Sequence, residues 1–191
     1  MWMKEDRPRW SWLFADLESQ AEALAGTEDQ EAVVERTRIE VGRLGLTDRL
    51  RGVEGQLLDV RCAGVGMLRG RLERVGTDWL LLTEPSGTES LVPVAAVTAV
   101  TGLARWSAVA DAQVDRRLGL RSALRGLVRA RVTVRVLLVD GGSIAGTLDR
   151  VGLDFLELAE HAADERRRVG SVLRVWTIPL LGVGVVRCAG H

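Results

Sequence analysis

The sequence predicts a mainly β protein with some α: two tandem five-stranded barrels, each preceded by a short helix, behind a helical N-terminal arm. Three observations predict it. One string is spelled twice, as "GRLERVGTDWLLL" from Gly70 and as "GTLDRVGLDFLEL" from Gly146. Short apolar runs surround each copy at even spacing and are punctuated by glycine turns, the pattern of small closed β-barrels. The chain is 47% hydrophobic and 27% charged, which fits a globular protein rather than a disordered one.

The N-terminal arm, residues 1–42, comes first. Trp10, Phe14, Leu17, Ala21 and Leu24 recur at helical spacing and predict an amphipathic helix over 10–25. Thr27 and Gln30 match a capping box, so a second helix is expected from 28 to 44. The repeat then begins. "RLGLTDRLRG" (43–52) aligns with "RLGLRSALRG" (117–126) at a shift of 74. After a glycine turn two residues longer in the second copy, the shift is 76 and carries Gly70, Arg74, Gly76, Asp78, Leu80, Leu82 and Glu84 onto Gly146, Arg150, Gly152, Asp154, Leu156, Leu158 and Glu160. "LVPVAAVTAV" (91–100) finally faces "TIPLLGVGVV" (177–186).

Each unit thus reads as a helix and five strands. The first unit, 43–103, predicts strands near 56–63, 66–75, 78–84, 88–93 and 97–101. A linker helix follows in 104–130. The second unit, 131–191, predicts strands near 131–139, 142–151, 154–160, 168–178 and 182–187. A unit of about 60 residues is marginal alone, so the two are expected to pack together.

Strand alternation assigns the faces of the repeated string. Leu81 aligns with Glu157, so that face is read as exposed, and Leu80, Leu82, Leu156 and Leu158 as core. Trp79 and Phe155 fall on the outer face and are candidate interface residues. Gly70 and Gly146 sit within strands and mark a bend or close backbone approach. Gly76 and Gly152 lie mid-loop, where a positive φ is expected. Arg74 with Asp78, and Arg150 with Asp154, flank the hairpins and read as cross-strand ion pairs; the alternative makes the arginines phosphate or ligand contacts.

This pattern resembles an Sm-like (LSm) barrel, a member of the small SH3-like barrel class. The likeness rests on the helix, a strand pair with glycine ("DVRCAGVGMLRGRL"), an Asp-containing turn and a closing proline-valine segment, over residues 43–101 and 117–187. The whole chain is also similar to actinobacterial proteins sometimes labelled Fis family transcriptional regulators, although no C-terminal helix-turn-helix pattern appears. The resemblance implies barrel geometry and edge-to-edge assembly through the fourth and fifth strands. Sm-like RNA binders hold a base with an Asn after the Asp turn and an Arg-Gly step in the fourth strand. This chain has no Asn, and the matching places read "DWLLL", "DFLEL", "LVPV" and "TIPL", so those roles are not carried over.

Composition narrows the function. Formal net charge is zero, so bulk electrostatics advertise no polyanionic partner. Charge is uneven, however. Residues 1–40 hold ten acids against five bases, and residues 104–136 hold eight arginines against two aspartates. Arg117, Arg121 and Arg125 stripe one face of the linker helix, and Arg166, Arg167 and Arg168 sit in a polar loop. They are candidate nucleic-acid contacts; the competing reading pairs the stripe with the acidic N-terminal helices or with a neighbouring chain. Trp2 and Trp12 do not fit the apolar face of the first helix and are further interface candidates.

Catalysis finds little support. His161 lies in a polar loop and His191 ends the chain; no base is placed beside a nucleophile. Cys62 and Cys188 have no partners at metal-ligand spacing. Lys4, the single lysine, excludes a phosphate loop of the GxxxxGK type. Neither a cofactor nor a metal is expected. No apolar run reaches the roughly 20 residues of a membrane helix, and no signal-peptide core appears at the start, so a cytoplasmic protein is expected. The sequence therefore points to a non-catalytic binding or assembly module, associating with itself or another protein. The alternative is regulatory RNA or DNA binding through the arginine-rich helix.

Overall fold

A computed structural model describes residues 44–103, 118–161 and 173–188. The chain divides at Leu44, and everything below belongs to the unit from Gly45 onward. The expected N-terminal helices lie outside the described residues.

The described residues of the unit are mainly β with two α-helices. Helix α1 (Leu46–Arg51) precedes β1 (Leu57–Cys62), β2 (Gly66–Val75), β3 (Trp79–Thr83), β4 (Glu89–Pro93) and β5 (Val97–Thr101). Helix α2 (Leu120–Ala130) precedes β6 (Thr133–Leu138), β7 (Ser143–Val151), β8 (Phe155–Glu160), β9 (Arg174–Pro179) and β10 (Val183–Cys188). A single 3-10 turn joins β4 to β5 and another joins β9 to β10.

All ten strands belong to one sheet, in the order β5-β1-β2-β3-β4-β10-β6-β7-β8-β9, with antiparallel neighbours throughout. The expectation of two separately closed barrels is corrected by this ladder. In each repeat the last strand returns to the first, β5 to β1 and β10 to β6. The fourth strand of the first repeat does not close on β5. It pairs instead with β10 of the second repeat, which fuses the two into one open sheet.

The two repeats match in detail. Register slips by one residue at Glu73 between β2 and β3, and at the matching Asp149 between β7 and β8. The Gly76 amide donates to the Trp79 carbonyl at 2.9 Å, and the Gly152 amide to the Phe155 carbonyl at 2.9 Å. The Val94 amide reaches the Asp78 carbonyl at 2.9 Å, and Leu180 reaches that of Asp154 at 2.7 Å. Gly70 and Gly146 are buried where a Cβ would run into the facing strand's backbone, at Thr83 and Ala159. The close approach expected there is present in both copies.

Two apolar clusters form the core, and each crosses the repeat boundary. Leu50, Leu58, Leu72, Leu80 and Leu82 of the first repeat gather with Val185 of β10. Leu124, Leu148, Leu156 and Leu158 of the second gather with Trp79 and Leu91 of the first. Burying each such side chain contributes about 1.5–3 kcal/mol. Residues lent across the boundary therefore make the junction part of the core.

Candidate functional site

The junction is built from three features of the first repeat. The first is the Asp78 carboxylate. Helix α2 begins at Gly119, which has no side chain to cap it, and Asp78 Oδ1 accepts the Leu120 amide at 2.6 Å. The orphan donor of one repeat's helix is thus satisfied by the other repeat's hairpin. The second is Trp79, whose Nε1 donates to the Leu118 carbonyl at 2.8 Å and whose ring lies on Gly76. Gly76 is needed for that contact and not for a positive φ, which corrects the sequence reading; Gly152 lies under Phe155 in the same way.

The third feature is the outer edge of β4. Leu91 lies opposite Val186, and Ser90 opposite Arg187. Ser90 is fully buried and donates to Glu84 Oε1 at 2.7 Å. Arg187 Nη2 approaches the same oxygen at 3.0 Å, so a carboxylate of one repeat is met by a guanidinium of the other. A partly buried pair of this kind, with its oxygen also held by a hydroxyl, positions the strands more firmly than an exposed pair does.

In the second repeat the counterparts are not covered by another strand or helix among the described residues. Its edge strand β9 pairs only with β8 among the described residues, and its burial is slight along most of its length. Trp176, 37% exposed, stands where β4 has Ser90. Glu160, the counterpart of Glu84, accepts from Trp176 Nε1 at 2.7 Å and meets Arg174 at 3.1 Å; Arg174 also lies over the Trp176 ring at 5.5 Å. Asp154, matching Asp78, is exposed and caps no helix among the described residues. Phe155 is half-buried where Trp79 is buried. Leu153 and Leu181 flank this end at 76% and 81% exposure. At the opposite end, β5 pairs only with β1 among the described residues.

Trp79, read from strand alternation as outward, is thus covered by the second repeat. Asp78 and Arg150, expected in Arg74–Asp78 and Arg150–Asp154 ion pairs, have the following contacts. The Asp78 carboxylate is taken by the Leu120 amide and the Thr77 hydroxyl, and Arg150 Nε lies 3.5 Å from Glu157. Register explains the latter, because the slip at Asp149 sets Arg150 opposite Glu157.

Helix α2 buries Leu120 and Leu124 and exposes Arg121, Arg125 and Arg129. Arg125 and Arg129 join Arg74, Ser122, Trp79 and Leu118 around a cleft of about 480 Å³. Arg121 is not among its lining residues. Arg129 was legible as the next step of the four-residue arginine spacing. Ser122 and the Glu84–Ser90–Arg187 network carry no sequence signal of that kind. Arg117, Arg166, Arg167, Arg168, Trp2 and Trp12 lie outside the described residues.

His161, the residue after β8, is buried rather than solvated, and its Nε2 is 2.8 Å from the Thr147 hydroxyl. Burial pushes the Cys62 thiol up to about 11, with the Arg187 charge opposing it. Cys188 is raised by burial and then by Glu89. Among the described residues, no three His, Cys, Asp or Glu side chains gather as a metal site would require, and no helix is long and apolar enough to cross a membrane. No protein-family model matches this sequence, and no curated protein matches it either.

Proposed function

We propose that this protein is a non-catalytic assembly module whose repeats are Sm-like units joined in one open sheet, and that it associates with further copies of itself. Each repeat follows a helix with strands in the order last-first-second-third-fourth, which supports the Sm-like reading. The observation that carries self-association is the mismatch between the two ends. The fourth-strand edge of the first repeat is occupied by β10, while among the described residues the same edge of the second repeat, β9, has no strand on it.

The complementary surface stands at the other end of the same chain. Strand β5 matches β10, and α1 matches α2. A second copy placed on β9 by its β5 would repeat the internal junction, with Asp154 and Phe155 in the roles of Asp78 and Trp79. Such a contact is head-to-tail, and it closes into a ring or grows, depending on the rotation per copy. Apolar contact would drive it, because Glu160 already has Arg174 and Thr101 stands where β10 has Arg187. An unguarded edge is also what an unassembled protein avoids. Sedimentation velocity on the full chain tests this. The expected result is a mass that rises with concentration over the micromolar range. A strict monomer throughout would overturn the reading.

A further inference from the structure

We propose that Gly184 reserves the β4 edge for the chain's own β10 and that Thr98 bars β5 of another copy from it. The proposal rests on the association reading only in naming β5 as the incoming strand. Thr98 of β5 matches Gly184 of β10, as Val100 matches Val186. Both lie at a register slip, Gly184 between Val183 and Val185 and Thr98 between Val97 and Ala99. What lies over them differs. The β1–β2 turn of the first repeat rests on Gly184, where a Cβ would come within 2.9 Å of Val65 Cγ2 and 3.1 Å of the Ala63 carbonyl. Val65 is β-branched and has little rotamer freedom to give way. Beside it Gly64, at a φ of +68°, is pressed on the Leu138 and Val139 backbone, so the turn is seated on the end of β6 as well as on β10.

The strand pair itself is not the obstacle. A Cβ on Gly184 would also lie 3.1 Å from the Leu137 carbonyl, and Arg61 is the counterpart of Leu137. In the first repeat Thr98 occupies that place, and its hydroxyl donates to the Arg61 carbonyl at 3.1 Å. Threonine therefore fits the strand pair but not the turn above it.

The second repeat reverses the arrangement. In three dimensions its β6–β7 turn is as long as the β1–β2 turn, and the two extra residues of the second copy fall before β6. The Gly141 amide donates to the Leu138 carbonyl at 3.1 Å as the Val65 amide does to that of Cys62 at 3.3 Å. Gly141 thus holds the place of Val65. Asp140 holds that of Gly64, with its carboxylate turned back to the Gly142 amide at 2.8 Å. A β5 strand on the β9 edge would bring Thr98 under Gly141, which has no side chain to oppose it. Valine over glycine inside the chain becomes glycine over threonine between copies. Exchanging the partners fails both ways: Val65 over Thr98 overfills the space, and Gly141 over Gly184 leaves a gap. Addition of a copy is thereby directed to β9.

Urea unfolding of the dilute full chain, in a double-mutant cycle, tests the proposal. Gly184→Thr gives β10 the residue of β5 and should lower the folding equilibrium constant at least about tenfold. Val65→Gly alone should also lower it, through lost packing and a freer turn. Added to Gly184→Thr, Val65→Gly should instead raise it about fivefold, as residues in contact do. Gly184→Ala, which adds only the Cβ, should show the same reversal and keeps the cycle measurable if threonine prevents folding. Val65→Gly costing the same in every background would overturn the proposal, as would a Gly184→Thr chain as stable as the parent. The cycle reads a single chain, so it is decided apart from sedimentation. A strict monomer with the expected reversal would refute association and leave Gly184 as the residue that β10 needs on β4.

Discussion

Strands β4 and β9 are the same segment written twice, and they live in different surroundings. β4 is buried along four of its five residues, because β10 lies on its outer edge. β9 is exposed along five of its six. The hairpins before them diverge in the same way. Asp78 caps a helix and Trp79 is buried against it, while Asp154 and Phe155 face no such helix among the described residues. Local sequence makes both strands. Position in the ten-strand order decides which one is covered. Among the described residues, one fourth-strand edge is thus covered by a strand of the other repeat and its counterpart is not.

Trp79→Ala attacks the internal junction hardest. It removes a large buried ring and the Leu118 contact, and about 3–5 kcal/mol of unfolding free energy should be lost in urea titrations. Phe155→Ala, at the open end, should cost clearly less in dilute protein. Next is Leu91→Ala, which empties a buried position opposite Val186 and should cost about 2–4 kcal/mol. The matched Thr177→Ala on β9 should stay within about 0.5 kcal/mol. If the two cost the same, burial does not distinguish the edges and the comparison fails.

Asp78→Ala should cost about 1 kcal/mol by leaving α2 uncapped, with hydrogen exchange fastest in the first turn of that helix. Asp154→Ala should leave the dilute protein unchanged and weaken only association. The smallest effect is on pH dependence. The Cys62 thiol is raised by burial from 9.0 to about 11, so the folded state holds its proton more tightly than the unfolded state does. That contribution is whole below pH 9 and is lost as pH rises toward about 11. Cys62→Ala should flatten the decline, as read from unfolding midpoints at pH 8 and about pH 10.5.

Much of the β architecture was legible before any coordinates. Repetition of "GRLERVGTDWLLL" located every strand to within a few residues, apart from the start of β9, and the Leu80 and Leu82 alternation identified core positions in both copies. What alternation could not reveal is what lies on the other side. Trp79 points away from its own repeat's leucines, as read, but α2 of the second repeat begins on top of it. The same limit applies to barrel closure. Nothing in "LVPV" distinguishes a strand that returns to its own repeat from one that accepts β10. His161 sits beside acidic residues, which read as solvent, yet Thr147 across the strand pair gives its ring a buried partner. The cleft arginines were half legible. Spacing placed Arg121 and Arg125 on one helix face, but that Arg125 shares a cleft with Arg74 and Trp79 of the first repeat shows only in three dimensions.

Association by the repeated junction makes a geometric demand that one measurement can meet or refuse. Leu91 lies opposite Val186 inside the chain, and the equivalent residues at the open ends are Thr177 and Val100. Opposed residues in an antiparallel pair stand about 4.5–5.5 Å apart, within disulfide reach. Thr177→Cys and Val100→Cys are made in separate full chains that lack Cys62 and Cys188, then mixed and oxidised. The account predicts a covalent dimer from the mixture and none from either variant alone. No dimer in the mixture, or equal dimer from one variant by itself, would contradict it.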